Sequence, residues 1–239
     1  MSFLVIPALD LKDGKCVQLV QGDPNRIILS LDDPVGIALQ WQAKGAPRLH
    51  LVDLDGAIQG VRKNESIVRD ILGEIEIPVQ FGGGIRSMED ARLFLDLGVA
   101  RVILGTLAVQ MPDALGKLAE EYGADRITIA LDSKAGNVVV KGWTKDTNIR
   151  ATEIVQKFER YASEVLFTNV DVEGLMKGPD EKSIREIVKA TSLDVIASGG
   201  ISSLEDIECI SKIGALGVVI GSALYSGEIN LEKALKLTS

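Results

Sequence analysis

Residues 196–224 read IASGGISSLEDIECISKIGALGVVIGSAL. The stretch divides into a short apolar strand, a Gly-Gly turn, a helix, a second apolar strand and a Gly-small turn. Glycine lets backbone N–H groups approach an anion closely, and a helix N-terminus beyond the turn adds its dipole. Gly199-Gly200 and Gly221-Ser222 together suit one phosphate held between adjacent strands. A single Gly-Gly would only mark a tight turn. Residues 81–108, however, read FGGGIRSMEDARLFLDLGVARVILGTLA. Gly84, Ile85, Ser87, Glu89, Asp90, Gly98, Gly105 and Thr106 recur as Gly200, Ile201, Ser203, Glu205, Asp206, Gly214, Gly221 and Ser222, each 116 residues on. Turn-making alone does not require that whole set in register, so the pattern points to a duplicated phosphate grip.

The repeat extends outward from these stretches. Val5-Ile6-Pro7-Ala8-Leu9-Asp10 matches Ile127-Thr128-Ile129-Ala130-Leu131-Asp132 at an offset of 122, with Gly14 matching Gly136. Val52-Asp53-Leu54-Asp55-Gly56 resembles Val170-Asp171-Val172-Glu173-Gly174 at an offset of 118. Eight Val/Ile/Leu-rich runs, at 3–9, 48–52, 78–81, 101–104, 126–131, 164–168, 194–197 and 217–220, have the continuous hydrophobicity of strands covered on both faces. Helix-period segments alternate with them at 34–44, 66–75, 88–97, 112–121, 152–162, 182–190, 204–213 and 230–237, and Ser87 and Ser203 stand as N-caps. Eight βα units without a linker predict one domain over 1–239, a single (β/α)8 barrel of α/β class with two-fold half-barrel pseudo-symmetry, its halves spanning about 1–122 and 123–239.

Composition narrows the function. The 239 residues are 46% hydrophobic, enough for a large core. The net charge of −8 and the pI near 4.8 leave no basic stripe for a nucleic acid. No apolar run approaches a membrane span, and no basic n-region opens the chain, so no membrane partner and a cytoplasmic location are expected. Cys16 and Cys209 lie far apart without metal spacing, and His50 is the only histidine. No metal, no nucleophilic triad and no cofactor fingerprint is expected. Oligomeric state cannot be read from these residues.

Asp10 and Asp132 are predicted to end the first and fifth strands, at the rim where barrel enzymes keep their reactive groups. In a closed barrel those strands face each other, and a carboxylate pair across the mouth suits acid–base chemistry. The implied ligand is a small molecule with a phosphate at each end and its reacting centre between the carboxylates. His50, in the second strand, reads as a hydrogen-bonded residue of the interior or rim. Lys141-Gly142-Trp143 lies in the loop after strand five, where Trp143 either packs on the barrel shoulder or stacks on a planar ligand. Arg86 stands where the second half has Ser202, as a phosphate contact or a rim ion pair.

Over nearly its whole length the chain resembles the histidine-biosynthesis isomerase family acting on ProFAR, a bis-phosphoribosyl formimino-aminoimidazole carboxamide ribonucleotide. The carrying motifs are IPALDLKDGKCVQLVQGD, HLVDLDGA, FGGGIRS, ALDSKAG with KGW, LFTNVDVEG, and ASGGISS with VIGSAL. The resemblance implies a cofactor-free Amadori rearrangement of an aminoaldose to an aminoketose, with Asp132 as general acid and Asp10 as general base. It further implies that Gly83, Gly84, Gly105 and Thr106 hold one phosphate and Gly199, Gly200, Gly221 and Ser222 the other. Trp143 would stack on the substrate, Thr168 would lie near the reacting sugar, and Gly22 would belong to the mobile first loop. Glu173-Gly174-Leu175 departs from the family's usual Asp-Gly-Thr, and Asn169 stands where Asp is frequent. Three alternatives share the phosphate pattern: the paralogous cyclase barrel of imidazole glycerol phosphate synthase, an isomerase also serving phosphoribosylanthranilate, and a non-catalytic phosphosugar-binding barrel. Against the cyclase, Ala8-Leu9-Asp10 lacks the cysteine associated with its first strand, and Lys141-Gly142-Trp143 suits the isomerase.

Overall fold

A computed structural model describes residues 3–237. Eight strands form the barrel: β1 (Leu4–Lys12), β2 (Leu49–Asp53), β3 (Val79–Gly82), β4 (Arg101–Leu104), β5 (Ile127–Lys134), β6 (Glu164–Asn169), β7 (Asp194–Ser198) and β8 (Gly217–Ile220). Each pairs in parallel with its sequence neighbours. Closure comes from β8 on β1, with Ile6 opposite Val219, and the two halves join through β4 and β5, with Ile103 opposite Thr128. The main outer helices are α1 (Pro34–Ala43), α2 (Glu65–Glu74), α3 (Met88–Asp96), α4 (Pro112–Tyr122), α5 (Ala151–Ile154), α6 (Glu181–Ala190), α7 (Leu204–Ile213) and α8 (Leu231–Leu237). Ser87 and Ser203 each close a capping box, with Asp90 and Asp206, so the duplicated Ser-x-x-Asp starts two equivalent helices.

Burial divides the core in two. A large apolar shell lies between strands and helices, while Ile6, Ala8, Ile103, Leu166, Ile196 and Val219 form a small plug inside the barrel. Beneath that plug the floor is charged. Arg48 binds Glu164 through two hydrogen bonds, at 2.8 and 3.1 Å, and Arg101 reaches the same carboxylate at 3.3 Å.

Three features differ from expectation. Asp10 and Asp132 do not end their strands, because β1 and β5 run two residues further into antiparallel hairpins. These pair Asp10 with Val17 and Asp132 with Val139, through strands Lys15–Leu19 and Asn137–Val140. The helix expected at 152–162 is one α turn followed by a 3-10 turn over Val155–Phe158. Thr152, Ile154 and Val155 are β-branched and weaken the longer helix. The match between the second and sixth strands is offset by 116, not 118. Leu11 sits opposite Asp53 and Ser133 opposite Asn169, which makes Asn169 the partner of Asp53. Side chains repeat the same register: Asp55 accepts from Asp13 N–H at 2.6 Å, and Asp171 from Ala135 N–H at 2.7 Å. Glu173 is therefore the counterpart of Ala57.

Candidate active site

The C-terminal ends of the strands open into a cavity of about 740 Å³. All the residues singled out above line it: Asp10, Gly22, His50, Gly83, Gly84, Arg86, Gly105, Thr106, Asp132, Trp143, Thr168, Glu173, Gly174, Gly199, Gly200, Gly221 and Ser222. They come from all eight barrel strands and the loops that follow them, and barrel closure alone brings them together.

The two glycine turns are built alike. Gly83 and Gly84 have φ of 99° and 76°, and Gly199 and Gly200 have 102° and 78°. The left-handed region already favours glycine there. Packing reinforces it: a Cβ on Gly84 would lie 2.5 Å from the Gly56 carbonyl carbon, and one on Gly200 would lie 2.4 Å from the Gly178 oxygen. Gly105 and Gly221 have negative φ and begin the short helices Thr106–Gln110 and Ser222–Tyr225. Each half thus converges a glycine turn and a helix start on one corner of the cavity. Gln18, which sequence reasoning passed over, is buried beside the second corner and accepts from Ser222 Oγ at 3.1 Å. Arg86 lies on the rim, its guanidinium near the carbonyls of Gly56 and Ala57 at 3.5 and 3.4 Å.

Three carboxyl groups meet between the corners. Burial pushes Asp10 from 3.8 up to about 7. Glu173 is pushed from 4.5 to about 7, first by burial and then by the charges of Asp10 and Asp132. Burial also raises Asp132, but hydrogen bonds from Trp143 and Thr168 oppose it by favouring the anion. The Trp143 indole N–H donates to Asp132 Oδ2 at 2.8 Å. Lys141, Gly142 and Trp143 hold φ of 57°, 61° and 65°, a strained run for two bulky residues. The indole lies over Gly22, where a Cβ would come within 2.5 Å of the ring. Glu173, expected with Gly174 among the substrate contacts although it departs from the family's usual Asp, stands with the acid–base candidates, and its Oε2 lies against Gly199. His50 is buried below, its Nδ1 2.9 Å from Gln80 Nε2. Burial, then the Arg48 charge, lowers its imidazole from 6.5 to about 4. Among the described residues no helix is long and apolar enough to cross a membrane.

Comparison with known proteins agrees with this geometry. A model of the family described as histidine biosynthesis protein matches residues 4–230. The chain is 51% identical over 239 residues to a protein of Methanosarcina mazei, covering 98% of this chain and 97% of that one. It is 51% identical to a protein of Methanothrix thermoacetophila, with 99% and 98% covered. A Methanothermobacter thermautotrophicus protein is likewise 51% identical, with 98% of each chain covered. All three are named 1-(5-phosphoribosyl)-5-((5-phosphoribosylamino)methylideneamino) imidazole-4-carboxamide isomerase. A family match along most of the barrel and full-length relatives at half identity place the chain in one group: it belongs to the histidine biosynthesis protein family.

Proposed function

We propose that the protein is the isomerase that converts ProFAR, the substrate in its relatives' names, to the corresponding aminoketose by an Amadori rearrangement. The observation that carries this reading is the pair of half-buried carboxyl groups on β1 and β5, set in one cavity between two equivalent glycine corners. Gly83, Gly84, Gly105 and Thr106 hold one phosphate, and Gly199, Gly200, Gly221 and Ser222 the other. Backbone N–H groups at these turns bind anions whatever the net charge of the chain.

Asp132 protonates the ribose ring oxygen. The C1′–O bond breaks, its electron pair stays on that oxygen as a hydroxyl, and the lone pair of the attached nitrogen forms the C1′=N bond of a Schiff base. Asp10 then takes the C2′ proton, the C2′–H electrons form the C1′=C2′ bond of an enol, and the C=N pair returns to nitrogen. The enol becomes the ketone as its hydroxyl proton leaves and C1′ gains one. A base whose proton affinity lies near neutrality is well matched to this transfer. Asp132 must carry its proton to act as an acid, so its proton affinity must be raised as well. Moving the Trp143 indole from Asp132 onto the planar heterocycle of the ligand removes a donor that favours the anion, and so arms the acid as the substrate is covered. Thr168 sits beside Asp132 in the β5–β6 register and steadies it. Gly22, Glu173 and Gly174 complete the wall.

The test is direct. Purified protein is incubated with ProFAR alone, without ammonia or glutamine, and the aminoketose is followed. Conversion by wild type and its loss in both Asp10→Asn and Asp132→Asn are expected. Turnover that survives in either variant removes that residue from its role, and inactive wild type removes the reading.

A further inference from the structure

The floor of the cavity holds a chain of buried polar groups that the acid–base chemistry above does not use. Arg48, anchored on Glu164, donates from Nη1 to Gln80 Oε1 at 2.9 Å. An arginine has no acceptor, so the oxygen of the Gln80 amide must face it. The amide nitrogen then faces His50 Nδ1, at 2.9 Å. That nitrogen has only hydrogens to offer, so Nδ1 must be the unprotonated acceptor, and a neutral imidazole carries its proton on Nε2. Each assignment follows from the one before it.

The duplicated barrel supplies its own comparison. In the 116-residue register His50 corresponds to Leu166 and Gln80 to Ile196, both of the apolar plug. The fold therefore accepts a purely apolar pair at these two positions. In the first half the pair is polar although Gln80 is 0% exposed and His50 7%, and burying such groups costs stability unless they are bonded. His50 lines the cavity, and no protein group among the described residues bonds its Nε2.

We infer that Gln80 is a positioning residue: held by Arg48, it fixes His50 as the Nε2–H tautomer, so the imidazole presents a neutral donor to a sugar oxygen of the substrate. This rests on the proposed isomerase reading. The charges around the imidazole are Arg48 and Arg101 balanced against Glu164 below, with Asp10, Asp132 and Glu173 above. A cationic His50 would place an N–H against the amide hydrogens of Gln80 and would add a positive charge to the cavity that holds Asp10, lowering the affinity of the base for its proton. The wire keeps the donor and avoids the charge.

The chain's single histidine makes the test clean, because imidazole nitrogen signals of the tag-free protein need no assignment. Wild type is expected to show the Nε2–H tautomer and no titration between about pH 5.5 and 8. Gln80→Glu keeps an acceptor for Arg48 but turns an acceptor toward Nδ1. His50 should then protonate within that range, and kcat should fall about tenfold with KM within about twofold, the loss of one transition-state hydrogen bond. Gln80→Ile, copying Ile196, guards against misfolding of the glutamate variant and should show mixed tautomers with a similar fall in kcat. His50→Leu, copying Leu166, should lower kcat by about a hundredfold. An Nδ1–H tautomer or a titration near 6.5 in wild type would overturn the inference, as would unchanged kcat in folded Gln80 variants. Absence of turnover by wild type would instead overturn the isomerase reading, and with it the donor's role, while the tautomer result stands or falls separately.

Discussion

Replacing Asp10 by Asn should make the protein more stable as it makes it inactive. Burial raises the Asp10 carboxyl from 3.8 to about 7. Folded protein therefore holds a proton here that unfolded chain has already released between these two values. The stabilising protonated form is fully present below about pH 3.8, and its contribution is lost as pH rises through about 7. A tenfold change in proton affinity is worth about 1.4 kcal/mol, so burying the charged form costs at most about 4 kcal/mol above neutrality. Water reaching the carboxylate through the cavity mouth screens part of this, leaving about 2 kcal/mol. Asn has the same shape and no charge to desolvate. Urea unfolding of wild type and Asp10→Asn at several pH values measures the difference, which should be small near pH 4 and grow to about 2 kcal/mol at pH 8. Turnover should fall by about 10²–10⁴-fold in the same preparation. An Asn variant no more stable than wild type at pH 8, or a difference that does not change with pH, would refute the argument that Asp10 is held against its own solvation.

Three further outcomes are expected. Titrating substrate should change tryptophan fluorescence, and Trp143→Phe should abolish that part of the change, leaving Trp41, packed edge-on against Tyr225, as the internal control. Gly84→Ala should cost about 2–4 kcal/mol in urea unfolding, since a left-handed φ and contact with the Gly56 backbone act together, whereas Gly105→Ala, whose Cβ meets only Ala130 at 3.6 Å, should fold normally and report on ligand affinity alone. Glu164→Gln should destabilise by about 2–3 kcal/mol, because it leaves the half-buried Arg48 and Arg101 beside a neutral amide.

The half-barrels also show where symmetry was kept and where it was abandoned. Asp10 and Asp132, the two glycine turns and the two capping boxes survive in register. Glu173 stands where the first half has Ala57, and His50 and Gln80 stand where the second half has Leu166 and Ile196, so these three side chains lie off the symmetric frame.

Much of this was legible in the residues alone, because the signals are local. Continuous Val/Ile/Leu runs specify buried strands, Ser-x-x-Asp specifies helix starts, and a recurring Gly-Gly specifies a turn whose φ only glycine adopts freely. Repetition of all three in the two halves pointed to the closed barrel and to the paired glycine corners. What stayed hidden depends on contacts between distant segments. Whether Asp53 matches Asp171 or Asn169 is decided by strand register, which a two-residue shift in a short apolar run does not reveal. That Arg48, Gln80, Arg101 and Glu164 form one floor follows only when β2, β3, β4 and β6 close around the same axis. Asp10 could be recognised as a rim carboxylate from its place after an apolar run. Its displaced proton affinity could not, because desolvation is a property of the surrounding wall and not of the chain on either side.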